Sequence, residues 1–323
     1  MQHPAPTDTM RLSQKNERGF SLLLALLLPL FLIAGLGWAL ARSSWLARGW
    51  PNGVSELTVK LLVPALLLNG AYTNGISASI SWQLLCAFYL PLVAVFLLYA
   101  HGWRRGAGAA PRALAATYSN NAFVGIPVLV QTVGNDSLRY AFPIIAFHSL
   151  VGFSLYYLCA RGDAGAHRGR GGKLGASLLA ALKNPIVASL FIGFALNLGG
   201  VDLPAPVRQL LAMLAGAALP CALLALGASL ATLAPQRGGE TVLVAATKLL
   251  LLPLLVWLLA RHGFGLAPEA VKVLVLLSAC PVGINAALVV KADGKDAGMV
   301  GSAILLSSIL CMATIPLWLW FLH

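Results

Sequence analysis

The sequence predicts an all-α membrane protein of ten transmembrane helices, arranged as two inverted five-helix repeats in which helices four and nine are broken. Three observations carry this. The 323 residues are 59% hydrophobic and only 10% charged, whereas a soluble domain carries roughly a quarter charged residues. Apolar runs of spanning length follow one another almost without pause. Prolines inside those runs recur in the second half of the chain at nearly constant separation.

The apolar runs fall near 21–41, 54–71, 82–101, 112–133 and 138–160, then 176–198, 208–232, 240–262, 270–291 and 298–321. A span needs about 20 residues, a few more when tilted. Residues 1–19 are polar and are expected to form a disordered tail. Basic residues before the first apolar run resemble a signal peptide, but the run is long enough to span, which favours a retained first helix. Residues 20–160 form the first repeat, 161–175 a basic, glycine-rich loop and 176–323 the second repeat.

The net charge of +12 would point to nucleic acid in a soluble protein. Here most basic residues lie between apolar runs, where they orient a membrane protein, so no nucleic-acid partner is expected. Counting Lys and Arg in alternate gaps puts twelve on the side of the 161–175 loop and seven on the other. That excess predicts a multi-pass protein of the cell membrane with this loop in the cytoplasm and both termini outside. The five cysteines all lie in apolar runs without a C-x-x-C pair and read as packing residues. No metal or cofactor is expected.

Pro29, Pro64 and Pro127 are followed by Pro185, Pro220 and Pro281, at separations of 156, 156 and 154 residues. "PLFLIAGLGWAL" at 29–40 aligns without gaps with "PIVASLFIGFAL" at 185–196, and "LVPALLL" at 62–68 with "ALPCALL" at 218–224. The unit holds five spans, an odd number, so its second copy enters the membrane inverted.

Pro127 and Pro281 fall inside helices four and nine, where neither can donate to the carbonyl four residues earlier. Gly125 and Gly283 lie beside them. Lipid cannot satisfy freed backbone groups, so such breaks belong inside protein or beside a water-filled cavity. Polar residues gather there: Tyr118, Ser119, Asn120, Asn121 and Gln131 around the first proline, Asn285 after the second. At a separation of 154, Gln131 corresponds to Asn285. Amides, bare backbone and the positive ends of half-helices suit a small anion. The bland alternative is asparagine joining helices by hydrogen bonds, at about 1 kcal/mol each. Amides clustered at two matched breaks favour a site reachable alternately from each side.

"SNNAFVGIPVL" resembles the S-N-x-x-x-x-G-[IL]-P motif of the auxin efflux carrier family, and "PVGIN" its P-x-x-x-N motif. "LLVPALLL" and "ALPCALLALGASLA" resemble its second- and seventh-helix segments. The resemblance runs from about residue 20 to the end and is nearest the bacterial malate and malonate permeases. It implies crossed broken helices that carry the substrate site, a mobile transport domain and a scaffold domain. Asn120, Gly125 and Pro127 match the first motif and Pro281 and Asn285 the second. Asn121 falls where the family often has a small residue. The expected function is a secondary carrier for a small organic anion, a carboxylate above all.

No Asp or Glu lies mid-span, which argues against a carboxylate proton relay or an acidic sodium cage. Backbone carbonyls and amides leave a sodium- or proton-coupled symporter as the alternative. His148, deep in helix five, is the remaining proton-responsive candidate, although a lone buried histidine is more often a hydrogen-bonded packing residue. Lys248, inside helix eight, either snorkels to the interface or serves an anion path. Glu56 and Lys60 read as a local ion pair. H-E-x-x-H and G-x-S-x-G are absent from the sequence, so an intramembrane enzyme is disfavoured. The expected partners are the anion and the bilayer, with a coupling ion and a second copy of the chain left open.

Overall fold

Helices account for nearly all of the computed structural model, which describes residues 28–74, 81–102, 108–160, 185–231 and 238–322. The predicted tail 1–19 and the whole of the basic loop 161–175 lie outside these residues. In chain order the helices are α1 (Leu28–Arg42), α2 (Trp50–Thr73), α3 (Trp82–His101), α4a (Ala109–Thr117) and α4b (Asn121–Thr132). There follow α5 (Leu138–Cys159), α6 (Pro185–Leu198), α7 (Ala205–Ala231), α8 (Gly239–Gly263), α9a (Pro268–Ala279), α9b (Ile284–Ala292) and α10 (Gly298–Phe321). Among the described residues six helices, α2, α3, α5, α7, α8 and α10, are long and apolar enough to cross a membrane. With no apolar driving force between helices in lipid, close packing and internal hydrogen bonds must hold them together.

Glycines supply the close packing. A Cβ on Gly37 of α1 would lie 2.3 Å from the Leu224 carbonyl oxygen of α7. A Cβ on Gly193 of α6 would lie 2.7 Å from the Leu68 carbonyl oxygen of α2. Both partners in this exchange, 37 with 193 and 68 with 224, are 156 positions apart. Gly227 of α7 is tighter still, its missing Cβ falling 1.8 Å from the Ala34 carbonyl oxygen. Here α1 lies on α7 and α6 on α2 with backbones touching, which no larger side chain permits.

Prolines shape the helices less abruptly than their chemistry suggests. Wide turns with bonds to the fifth preceding residue occupy Thr58–Leu62, Asn121–Gly125 and Thr247–Leu251, each ending two residues before Pro64, Pro127 or Pro253. Such a turn moves the facing carbonyl off the proline ring and lets the helix continue. The Leu249 carbonyl, four residues before Pro253, receives the Trp318 indole N–H of α10 at 2.8 Å. Pro91, Pro143, Pro220 and Pro316 lie within continuous helix.

This corrects the expected position of the first break. The chain is helical on both sides of Pro127, and the interruption is at 118–120, ahead of it. Pro281 does lie in the second interruption, between Ala279 and Ile284. The two prolines are therefore not structural counterparts.

Gly227→Leu is expected to separate α7 from α1. Overpacking of this kind costs about 1–3 kcal/mol or more. The check is thermal unfolding in detergent, where Gly227→Leu should melt below the parent and Gly216→Leu, with open space at its Cβ, should not.

Candidate functional site

The two interruptions touch. The Asn120 N–H donates to the Pro281 carbonyl at 2.8 Å, and the Gly283 N–H to the Tyr118 carbonyl at 2.9 Å. Ser119 and Val282 thus form an isolated antiparallel bridge between the broken helices.

The remaining freed backbone groups find side chains. In an unbroken helix the Val282 N–H would bond the Ser278 carbonyl. Instead it donates to Ser307 Oγ of α10 at 3.0 Å, and the Ser278 carbonyl accepts from the Lys248 ammonium of α8. The Ser119 N–H donates to His148 Nε2 of α5 at 2.8 Å. Cys280 Sγ returns to the Leu276 carbonyl at 3.2 Å, and Asn120 Oδ1 caps α4b through the Phe123 N–H at 3.4 Å. An asparagine cap of this kind is worth about 1 kcal/mol.

Helix α5 holds the assembly laterally. The His148 ring stacks on Tyr118 with centroids 4.8 Å apart, and the Tyr118 hydroxyl bonds Ser149 Oγ at 2.9 Å. At one end of α5, Arg139 pairs with Glu269 at the start of α9a, 2.7 Å apart. At the other, the Tyr156 hydroxyl donates to Asp293, just past α9b, at 3.1 Å.

Beside the bridge lies a cavity of ≈ 70 Å³ lined by Tyr118, Ser119, Asn120, Asn121, His148, Ser149, Gly283 and Asn285, closed by Val59, Ala122, Phe123, Ile145 and Ile284. Five buried polar atoms on these residues have no hydrogen-bond partner: Ser119 Oγ, Asn120 Nδ2, both amide atoms of Asn121 and His148 Nδ1. Because Nε2 accepts from Ser119, the imidazole proton belongs on Nδ1. Four of the five atoms can therefore donate, and no carboxylate lines the cavity. Leaving such a group buried and unpaired costs about 1–3 kcal/mol. The arrangement suits a ligand that brings several acceptor oxygens.

Of the residues singled out in the sequence, the cavity gathers Asn120, Asn121, His148, Gly283 and Asn285. Gly125 sits behind it, where a Cβ would meet Leu277 at 3.0 Å and Cys280 Sγ at 3.3 Å. Pro281 lends its carbonyl to the bridge. Gln131 is exposed on α4b and Pro127 faces a separate apolar cavity, so neither lines this one. Gln131 and Asn285 are therefore not brought together in the cavity. Lys248 does not snorkel; it is wholly buried. Glu56 and Lys60 do pair, on an exposed face. Ser307 and Ser149 carried no signal in the sequence, since serines in apolar helices usually bond their own backbone.

His148→Phe should lower the melting temperature by orphaning the Ser119 N–H, a loss of about 1–3 kcal/mol. His148→Gln, whose side-chain carbonyl can accept in its place, should recover part of it. Differential scanning fluorimetry of the purified variants measures both.

The chain is similar to known membrane transport proteins. Residues 173–319 match the family model described as membrane transport protein. The chain is 27% identical over 300 residues to a candidate malonate transporter of Rhizobium meliloti (strain 1021), covering 90% of this chain and 92% of that protein. It is 25% identical over 303 residues to an uncharacterized transporter of Methanothermobacter thermautotrophicus (strain Delta H), covering 90% and 95%. Family model, relatives and apolar helices together show a multi-pass chain similar to membrane transport proteins, in line with the auxin efflux carriers its motifs resemble.

Proposed function

We propose that the chain is a secondary carrier moving a small organic anion, a carboxylate, across the cell membrane by alternating access, with the cavity at the crossed breaks as its binding site. The observation that carries this is the cluster of unpaired buried donors in a cavity without a carboxylate. A carboxylate offers two oxygens and about four acceptor directions. The relative described as a malonate transporter supports the same substrate class.

Ten spans in two inverted repeats, 20–160 and 176–323, make the alternation possible. The reciprocal glycine contacts, 37 on 224 and 193 on 68, support a two-fold relation. Helices α1, α2, α6 and α7 serve as the scaffold, and the remainder carries the site. The excess of basic residues on alternate gaps puts both termini outside.

Asn121 gives the sharpest test, because its amide has no partner to lose. Asn121→Ala should keep or raise the melting temperature while lowering labelled-malonate uptake into proteoliposomes at least tenfold. Asn120→Ala and Asn285→Ala should also reduce uptake, with membrane insertion intact. Unchanged uptake in all three, at matched reconstitution, would remove the cavity from the transport path.

A further inference from the structure

Among the described residues Lys248 stands apart as a charged side chain with 0% exposure. It lies in the wide turn of α8 and is paired with no Asp or Glu. A buried charge without a counter-ion is strongly disfavoured unless something nearby compensates it. What it touches is the Ser278 carbonyl in the last turn of α9a. That carbonyl lost its helical donor when Val282 turned to Ser307. The twelve-residue half-helix also directs the negative end of its dipole towards this point.

We propose that Lys248 is the built-in cation of the crossing. Its ammonium takes the place of the helical donor that the Ser278 carbonyl lost. It fixes the C-terminal end of α9a and balances the negative charge of the transported anion. This rests on the carboxylate-carrier reading and adds a consequence: transport needs no sodium. The sequence agrees, since no spanning segment supplies a mid-span acid that would neutralise the lysine. The charge acts through low-dielectric protein, where water screens it little.

Three variants of the full chain separate charge from hydrogen bonding. Lys248→Arg keeps both, Lys248→Gln keeps a donor without the charge, and Lys248→Met keeps neither. Amide hydrogen exchange across 279–284 reads the hold on the break and requires no substrate. Labelled-malonate uptake into proteoliposomes in choline buffer, with and without sodium, reads the charge. Exchange at Val282 and Gly283 should quicken at least tenfold in Lys248→Met and stay near the parent in the other two. Parent uptake should not change with sodium. KM should rise at least tenfold in Lys248→Gln and Lys248→Met and be preserved in Lys248→Arg. Sodium-dependent uptake by the parent overturns the proposal, as does a Lys248→Met protein with unaltered exchange and KM. If Lys248→Met fails to insert, the comparison of Gln with Arg decides: equal KM values overturn the role of the charge. A parent that takes up no carboxylate, yet shows the exchange pattern, defeats the carrier reading and supports the lysine's hold on the break.

Discussion

Backbone hydrogen bonding at the two interruptions is the constraint on which the rest of the molecule depends. A helix that stops within a membrane leaves donors and acceptors that lipid cannot satisfy. The chain resolves this by bringing its two stops together. Tyr118, Asn120, Pro281 and Gly283 exchange two main-chain bonds, so each break supplies part of what the other lacks. The surplus goes to His148, Ser307 and Lys248 on three neighbouring helices. Those helices must therefore surround the crossing.

With the backbone satisfied, the polar side chains at the same place are left over. Asn121 makes no bond with either amide atom, and Ser119 Oγ and His148 Nδ1 are likewise unpaired. A protein that merely needed to join helices would have spent these groups on one another. Instead they line one small cavity together with Tyr118, Ser149 and Asn285. The pattern is that of a site kept ready for an acceptor-rich ligand at some cost to stability.

The same division of labour runs through the packing. Gly37, Gly193 and Gly227 let backbones approach within van der Waals contact across α1–α7 and α2–α6, forming a rigid group of helices. Wide turns before Pro64, Pro127 and Pro253 let helices accommodate proline without breaking. Close backbone packing thus joins α1 to α7 and α2 to α6, while the wide turns lie in α2, α4b and α8.

Helix positions, membrane character and the polar cluster at Ser119–Asn121 were legible in the sequence. They depend on composition and on spacing along one chain segment, and lipid as solvent leaves few alternatives. The location of the first break was not, because whether a proline breaks a helix or is absorbed by a wide turn depends on the contacts around it. Nor was the place of Asn285, which lines the cavity while Gln131 does not. Only the tertiary structure decided that Gln131 faces outward, that His148 holds the Ser119 N–H and that Lys248 is buried against Ser278. Each is a contact between segments at least 29 residues apart or the lack of one, and local periodicity carries no information about which distant group will satisfy a given donor.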